Sequence, residues 1–235
     1  MTLQVNIVTI FPEFFAAPLG LSIPARAAAA GAAAYRLIDL RDFTHDRHRT
    51  VDDYPFGGGP GMVMKPEPFF EAVESLDATG PVVLVSARGR AFTHADAVRY
   101  AAGDTLTILC GHYKDVDQRV ADHLATEEIS IGDYVLSGGE PAALVIVDAT
   151  VRLLEGAMSD MDSARTDSHW TGGLSAPSYT RPAIFRGFAV PDVLMSGDHK
   201  RIEAWRRHAS ERLTRDRLAG SETAGTPHAD DPPQP

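Results

Sequence analysis

Five short apolar runs, each followed by a helix-patterned stretch, constrain this chain more than any other feature. The runs are 5–10, 35–40, 81–86, 105–110 and 128–131. Phe11-Pro12-Glu13 ends the first, and Gly111 stops the fourth. Between them lie helical patterns. Ser22 is placed to cap a helix over 23–30 that Gly31 would stop. Residues 66–76 turn Phe69, Phe70 and Val73 inward. Thr93 with Asp96 reads as a capping box opening a helix that ends near Gly103. Helices are also predicted over 115–124 and 140–155, and a turn through Arg88-Gly89-Arg90. Strands alternating with helices predict an α/β fold, a mostly parallel sheet covered on both faces. Ligands of such sheets sit outside the carboxyl ends of the strands. That brings 86–89, 111–113 and 132–139 to one rim.

A single cysteine, Cys110, rules out a disulfide framework within one chain, and His45, His48 and His112 complete no zinc spacing with it. No metal site is predicted from spacing. No apolar run is long enough to span a membrane, and the first residues lack the pattern of a signal peptide. A cytoplasmic protein is expected. The formal net charge of −10 argues against indiscriminate polyanion binding. Nucleic acid would need a local basic surface. One candidate is the 41–49 stretch. Another is the set Lys200, Arg201, Arg206, Arg207, Arg212, Arg215 and Arg217, which equally fits a solvated helix face.

Neither Gly-x-Gly-x-x-Gly nor Gly-x-x-x-x-Gly-Lys-Ser/Thr occurs, and there is no Gly-x-Ser-x-Gly elbow. Residues 41–65 offer something else: a charged, histidine-bearing run that flows into Gly57, Gly58, Gly59 and Gly61. Glycines let backbone approach a ligand closely and can form an anion-binding nest, to which Arg41, Arg47 and Arg49 would add cations. A plain surface loop has the same composition. Residues 131–140 present amides and carbonyls beside apolar side chains and could grip a flat base by its edge. A strand-to-helix turn explains those glycines as well. In the aperiodic segment 156–177, read as a linker or lid, Asp160, Asp162 and Asp167 are candidate bases, with Arg152 preceding them. Spacing does not choose among the three, and each could be a turn residue. Residues 191–218 read as a second, basic helical region.

Taken together, the motifs at 41–65, 131–140, Tyr179-Thr180-Arg181-Pro182 and 191–199 leading to Trp205 resemble the bacterial tRNA (guanine-N1-)-methyltransferase family, TrmD, over about residues 3–217. The resemblance implies a SPOUT-type mostly parallel sheet with a deep trefoil knot, an exception to the usual rule against threading, plus a small helical C-terminal domain. It implies domains at 1–156 (S-adenosylmethionine binding), 157–177 (linker or lid) and 178–219 (helical). A Pro/Gly/Asp-rich tail at 220–235 is expected to be disordered. It further implies a homodimer with active sites between subunits, S-adenosylmethionine as cofactor, and tRNA as partner, methylated on N1 of the guanosine 3′ of the anticodon. The cofactor residues implied are Ser86, Gly89, Gly111, Tyr113, Ile131, Gly132, Asp133, Tyr134, Val135, Leu136, Gly138 and Gly139. Arg47, Arg49, Gly57, Gly58, Gly59 and Gly61 would bind substrate. Asp167, fifteen positions before Pro182, aligns with the catalytic aspartate, and Arg152 with the catalytic arginine.

The chain departs from the family pattern in several places. Gly-Arg-Tyr-Glu-Gly stands here as Gly111-His112-Tyr113-Lys114-Asp115, so an acidic residue tied to magnesium is replaced by an ammonium, which argues against magnesium. Ser-Pro-Gln-Gly stands as Ser86-Ala87-Arg88-Gly89, and Pro141 sits one place early. The chain ends soon after Leu218, where the family pattern runs on through further helices. These departures leave room for a paralogue acting on another, smaller substrate, or for a non-catalytic S-adenosylmethionine- or RNA-binding relative.

Overall fold

The computed structural model describes residues 1–76, 79–158 and 166–224. The chain divides into two compact units, residues 1–161 and 162–235.

The first unit is built on five parallel strands: β1 (Leu3–Thr9), β2 (Ala33–Asp39), β5 (Val82–Ala91), β6 (Thr105–Cys110) and β8 (Glu127–Ser130), in the spatial order β2-β1-β6-β5-β8. Alternate side chains of a strand point to opposite faces, and both faces are covered. Val83 and Val85 join a core with Val5, Ile7, Ile108 and Ile129, closed by α2 (Ser22–Ala29), α4 (His94–Ala101) and α6 (Glu140–Val151). Val82 and Leu84 join Val8, Ile38 and Leu109 in a second core beneath α3 (Pro66–Glu74) and α5 (Gln118–His123). Fully burying each such side chain contributes about 1.5–3 kcal/mol. A short helix, α1 (Ala16–Leu19), leads into α2. A small second sheet pairs β3 (Asp52–Asp53), β4 (Val63–Met64) and β7 (Asp115–Val116) in that order.

Three local expectations change. Ser22 does not cap α2; Leu21 occupies that position without a side-chain bond, and Ser22 itself has φ +53°. The turn at 88–90 is instead the far part of β5, which resumes pairing with β8 after an irregularity between Val85 and Arg90. A Cβ on Gly89 would strike the Ile129 backbone, so close strand approach explains that glycine. Residues 115–124 split into β7 and α5, because the Asp117 side chain accepts the Arg119 amide and starts the helix late.

The capping box at Thr93 and Asp96 forms as read, and Asp96 does more than cap. It is buried, with Arg90 bridging both its oxygens at 2.7 and 2.9 Å and Arg99 adding a contact at 3.0 Å. Both arginines also hold Glu127. The Arg90 guanidinium foremost, helped by Thr93 and Arg99 against the cost of burial, holds the Asp96 carboxyl well below the usual carboxylate range. A depressed folded value means the stabilisation is complete above the unfolded value, about pH 4, and fades as pH falls toward the folded one. Asp96→Asn is therefore expected to lower the unfolding midpoint most near neutral pH, with the gap to wild type narrowing as pH falls below about 4. Denaturation followed by circular dichroism checks this; a gap independent of pH would contradict it.

The second unit holds a hairpin of β9 (Ile184–Phe185) and β10 (Phe188–Ala189), then α7 (Asp192–Met195) and the long α8 (His199–Ala224). The hairpin turns through Arg186 (φ +53°) and Gly187 (φ +83°), the left-handed pair of a type I′ turn. On α8, Ile202, Trp205, Ala209 and Leu213 recur at helical spacing and are wholly or partly buried, while most of its cations face solvent. The helix runs past Leu218 to Ala224. The first five residues of the tail expected at 220–235 therefore continue the helix, and 225–235 lie outside the described residues.

Candidate functional site

Beside the carboxyl ends of β6 and β8 and the irregular middle of β5 is a cavity of about 290 Å³, close to the lower bound of about 300 Å³ for ligand pockets. Chain topology makes the opening there. β5 is followed by its inner neighbour β6, whereas the chain leaving β6 crosses to β8 on the far side of β5. Connections that diverge in this way leave a crevice. Leu84, Val85, Ile131, Leu136 and Ala142 supply apolar walls, and the rest is largely turn backbone.

Each turn has a local cause. The Arg88 amide donates to Ser86 Oγ at 3.1 Å within the irregular stretch of β5 between Val85 and Arg90. A Cβ on Gly111 would come within 2.9 Å of Val116 Cγ2. Tyr113 is left-handed at φ +60°, a conformation that costs a non-glycine residue about 1–2 kcal/mol. Its ring meets His112 edge-on at 5.1 Å, and His112 meets Phe11 in the same manner at 5.1 Å. After β8, Ser130 Oγ donates to the Gly132 carbonyl and accepts the Gly132 amide, and the Tyr134 ring folds back where a Gly132 Cβ would stand. The 138–139 turn is laced to 111–112 by the Gly139 amide on the Gly111 carbonyl, 2.8 Å, and by a bridge between His112 and Gly138. A Cβ on Gly139 would lie 2.9 Å from Cys110 Cα, and one on Gly138 2.5 Å from His112 Nδ1 and still closer to Glu140 Oε2. The floor is thus a cradle that only glycine backbone permits.

Beneath the cradle, Glu140 is buried at the first turn of α6, and Thr9 Oγ1 donates to its Oε1 at 2.7 Å. A carboxylate is favoured at a helix N-terminus. His112 Nδ1 is 3.9 Å from Glu140 Oε2 and has no hydrogen-bond partner. Burial first, then Glu140, pushes the Cys110 thiol well up, so Cys110 is a packing residue rather than a nucleophile. Sequence reading missed Glu140 and its contact to Thr9, because 131 positions separate the two and no local spacing joins them.

The predicted rim residues Ser86, Gly111, Tyr113, Ile131, Gly132, Tyr134, Val135, Leu136, Gly138 and Gly139 all line the cavity. Gly89 and Asp133 do not. The glycine run reaches the same rim through the small sheet, where Val63 pairs with Asp115 and the Lys114 amide donates to the Met62 carbonyl at 3.1 Å. Gly57, Gly58, Gly59 and Gly61 all have positive φ, between +75° and +108°. Upstream, Asp46 organises the loop by accepting the His48 and Thr50 amides and the Thr50 hydroxyl. Arg49 is paired with Asp42 and lies 3.8 Å from Asp39, whereas Arg47 is exposed. Tyr54 and Phe56 stand out from this loop at 81% and 101% exposure, two aromatic faces that sequence reading did not single out.

Arg152 is the C-cap of α6 in the first unit, half-buried. Asp167 is exposed in the second unit, in turns that close on themselves. Ser168 Oγ accepts the Ser175 amide at 2.9 Å, and the Leu174 amide donates to Thr214 Oγ1 on α8 at 2.9 Å. This ordering was not expected of a segment without periodicity. Asp167 borders a groove of about 960 Å³ within that unit, together with Tyr179, Arg181, Arg206 and Arg207. Asp160 and Asp162 lie outside the described residues. Among the described residues, no three His, Cys, Asp or Glu side chains gather to hold a metal, and no helix is long and apolar enough to cross a membrane.

The family model described as tRNA (Guanine-1)-methyltransferase TrmD matches residues 3–219. A tRNA (guanine-N(1)-)-methyltransferase of Dehalococcoides mccartyi is 50% identical over 216 residues, covering 90% of this chain and 87% of that one. One from Halalkalibacterium halodurans is 46% identical, with 92% and 89% covered. One from Gloeobacter violaceus is 50% identical, with 92% and 96% covered.

Proposed function

The chain belongs to the tRNA (guanine-1)-methyltransferase TrmD family, and from that premise we propose that it methylates N1 of the guanosine immediately 3′ of the anticodon in tRNA, with S-adenosylmethionine as methyl donor. The observation that carries this reading is the cavity beside the carboxyl ends of β6 and β8 and the irregular middle of β5. Its residues fit the cofactor. Backbone at Gly138 and Gly139, kept bare because a Cβ at either would collide, suits a flat base, and the apolar walls suit its faces. When bound, S-adenosylmethionine supplies an electrophilic methyl on a sulfonium.

The remaining chemistry belongs to the protein. Neutral guanine carries a proton on N1, so N1 is not a nucleophile until a base removes it. Asp167 accepts that proton, and Arg152 stabilises the negative charge that builds on O6. The positive-φ glycines at 57–61, with Arg47 and Arg49, contact the RNA. In this reading residues 1–156 form the cofactor domain, with the deep trefoil knot of the SPOUT fold, and 178–219 a helical domain joined to it through 157–177. The enzyme is a cytoplasmic homodimer. Lys114 in place of an acidic residue leaves no reason for magnesium in the transfer itself.

One assay tests these points together. Purified protein and labelled cofactor are expected to methylate a folded tRNA transcript bearing that guanosine and to leave a transcript lacking it unlabelled. Transfer should survive chelator, and light scattering should give about twice the 25.3 kDa chain mass at assay concentration. Equal labelling of both transcripts, or of neither, would overturn the substrate assignment. An active monomer would overturn the dimer, and activity restored only by magnesium would overturn the metal-free reading.

A further inference from the structure

Lys114 stands where the cavity rim meets the glycine loop. Its stem lies on Gly61, whose Cβ would come within 3.1 Å of Lys114 Cβ and 3.4 Å of Cδ. Its ammonium reaches Gly59, with Nζ 3.9 Å from where a Cβ there would be. Gly61 is therefore glycine for two reasons: φ +90° and the lysine stem laid across it. The other cation on the cavity wall, Arg88, is already neutralised by Asp115 at 3.1 Å and faces Glu128 at 3.8 Å. Lys114 is exposed and makes no ion pair among the described residues. A lysine without a counter-ion, on the wall of a ligand cavity and beside positive-φ glycines, is a place for an oxyanion.

Resting on the S-adenosylmethionine reading of the cavity, we propose that Lys114 holds the carboxylate of the cofactor's amino-acid portion. The cofactor carries one anionic group and two cationic centres. The wall carries the carboxylate of Asp115, already paired with Arg88, and Lys114 as its cation without an ion pair among the described residues, so Lys114 orients the amino-acid end by attracting its carboxylate and repelling its ammonium. With the adenine on the 138–139 cradle, the two ends of the cofactor are fixed by different elements. Lys114 is thus a positioning residue, and through its contact with the glycine loop it brings the amino-acid end next to the loop assigned to RNA.

Titration calorimetry on the intact protein with S-adenosylmethionine and with its decarboxylated form separates the possibilities. Lys114→Met is expected to weaken the carboxylated cofactor about tenfold or more, while the decarboxylated form binds as well as before or better. Lys114→Arg should restore most of the lost affinity. The proposal is overturned if Lys114→Met leaves the carboxylated cofactor unaffected, or if both ligands weaken equally. A wild type that binds neither ligand would remove the cofactor reading itself. Wild-type binding that does not respond to Lys114 would remove only this proposal.

Discussion

Asp167→Ala is expected to lose methyl transfer by about 10²–10⁴-fold while binding S-adenosylmethionine as the wild type does. The size follows from what a positioned base contributes when it removes a proton in the transition state. The split follows from timing. A group that acts only in the chemical step lowers kcat and kcat/KM together and leaves cofactor affinity alone. Asp167 is suited to such a measurement because the cavity proposed for the cofactor is built from the first unit and Asp167 belongs to the second. The bonds of Ser168 to Ser175 and of Leu174 to Thr214 do not involve the Asp167 carboxylate, so those two remain when it is removed. Single-turnover transfer with saturating cofactor, alongside calorimetry on the same preparation, gives both numbers. Near-normal turnover would move the role elsewhere, with Asp162 the first residue to try. A parallel loss of cofactor binding would show that Asp167 supports the site rather than the reaction.

Gly138→Val is expected to abolish cofactor binding while the protein stays folded. Even the first added carbon would stand 2.5 Å from His112 Nδ1 and closer still to Glu140 Oε2. Neither obstacle can move cheaply. Glu140 is buried and tied to Thr9, and the His112 ring is wedged between Phe11 and Tyr113. The loop must therefore lift, and lifting it breaks the Gly139–Gly111 bond that shapes the floor. Loss beyond the range of calorimetry, with an unfolding midpoint within a few degrees of wild type, is the expected pair of results. Binding within tenfold of wild type would mean that the ligand does not lie on this turn.

Much of the first unit could be read in advance because its signals are local. Residues 105–110 alternate inward to both cores with β-branched residues among them, and β6 has those bounds. Thr93 and Asp96 are three apart and cap each other. The failures were places where a distant partner overrides the local pattern. Gly89 looked like a turn, yet what demands glycine there is the Ile129 backbone alongside. Ser22 looked like a cap, yet it sits inside α2 with a left-handed backbone. For the site, the converging turns could be anticipated from strand ends alone. What lies under them could not: Thr9 meets Glu140, and Lys114 lies across Gly61, only once the sheet has brought those segments together.

The bond between Thr9 and Glu140 also bears on when the cavity can exist during synthesis. Its floor needs the end of β1, the turn after β6 and the first turn of α6, and β1 pairs directly with β6 about a hundred positions on. Contacts of such separation are paid for in chain entropy before they return anything, and so form late. A nascent chain that has emerged only as far as β8 holds four of the five central strands' worth of earlier sequence and the fifth strand itself, yet lacks the 138–140 segment that closes the floor. Cofactor therefore cannot guide the early stages of folding. Ligand binding rewards only a chain whose first unit has emerged through α6, which makes cofactor capture a report on the completed unit rather than on any fragment of it.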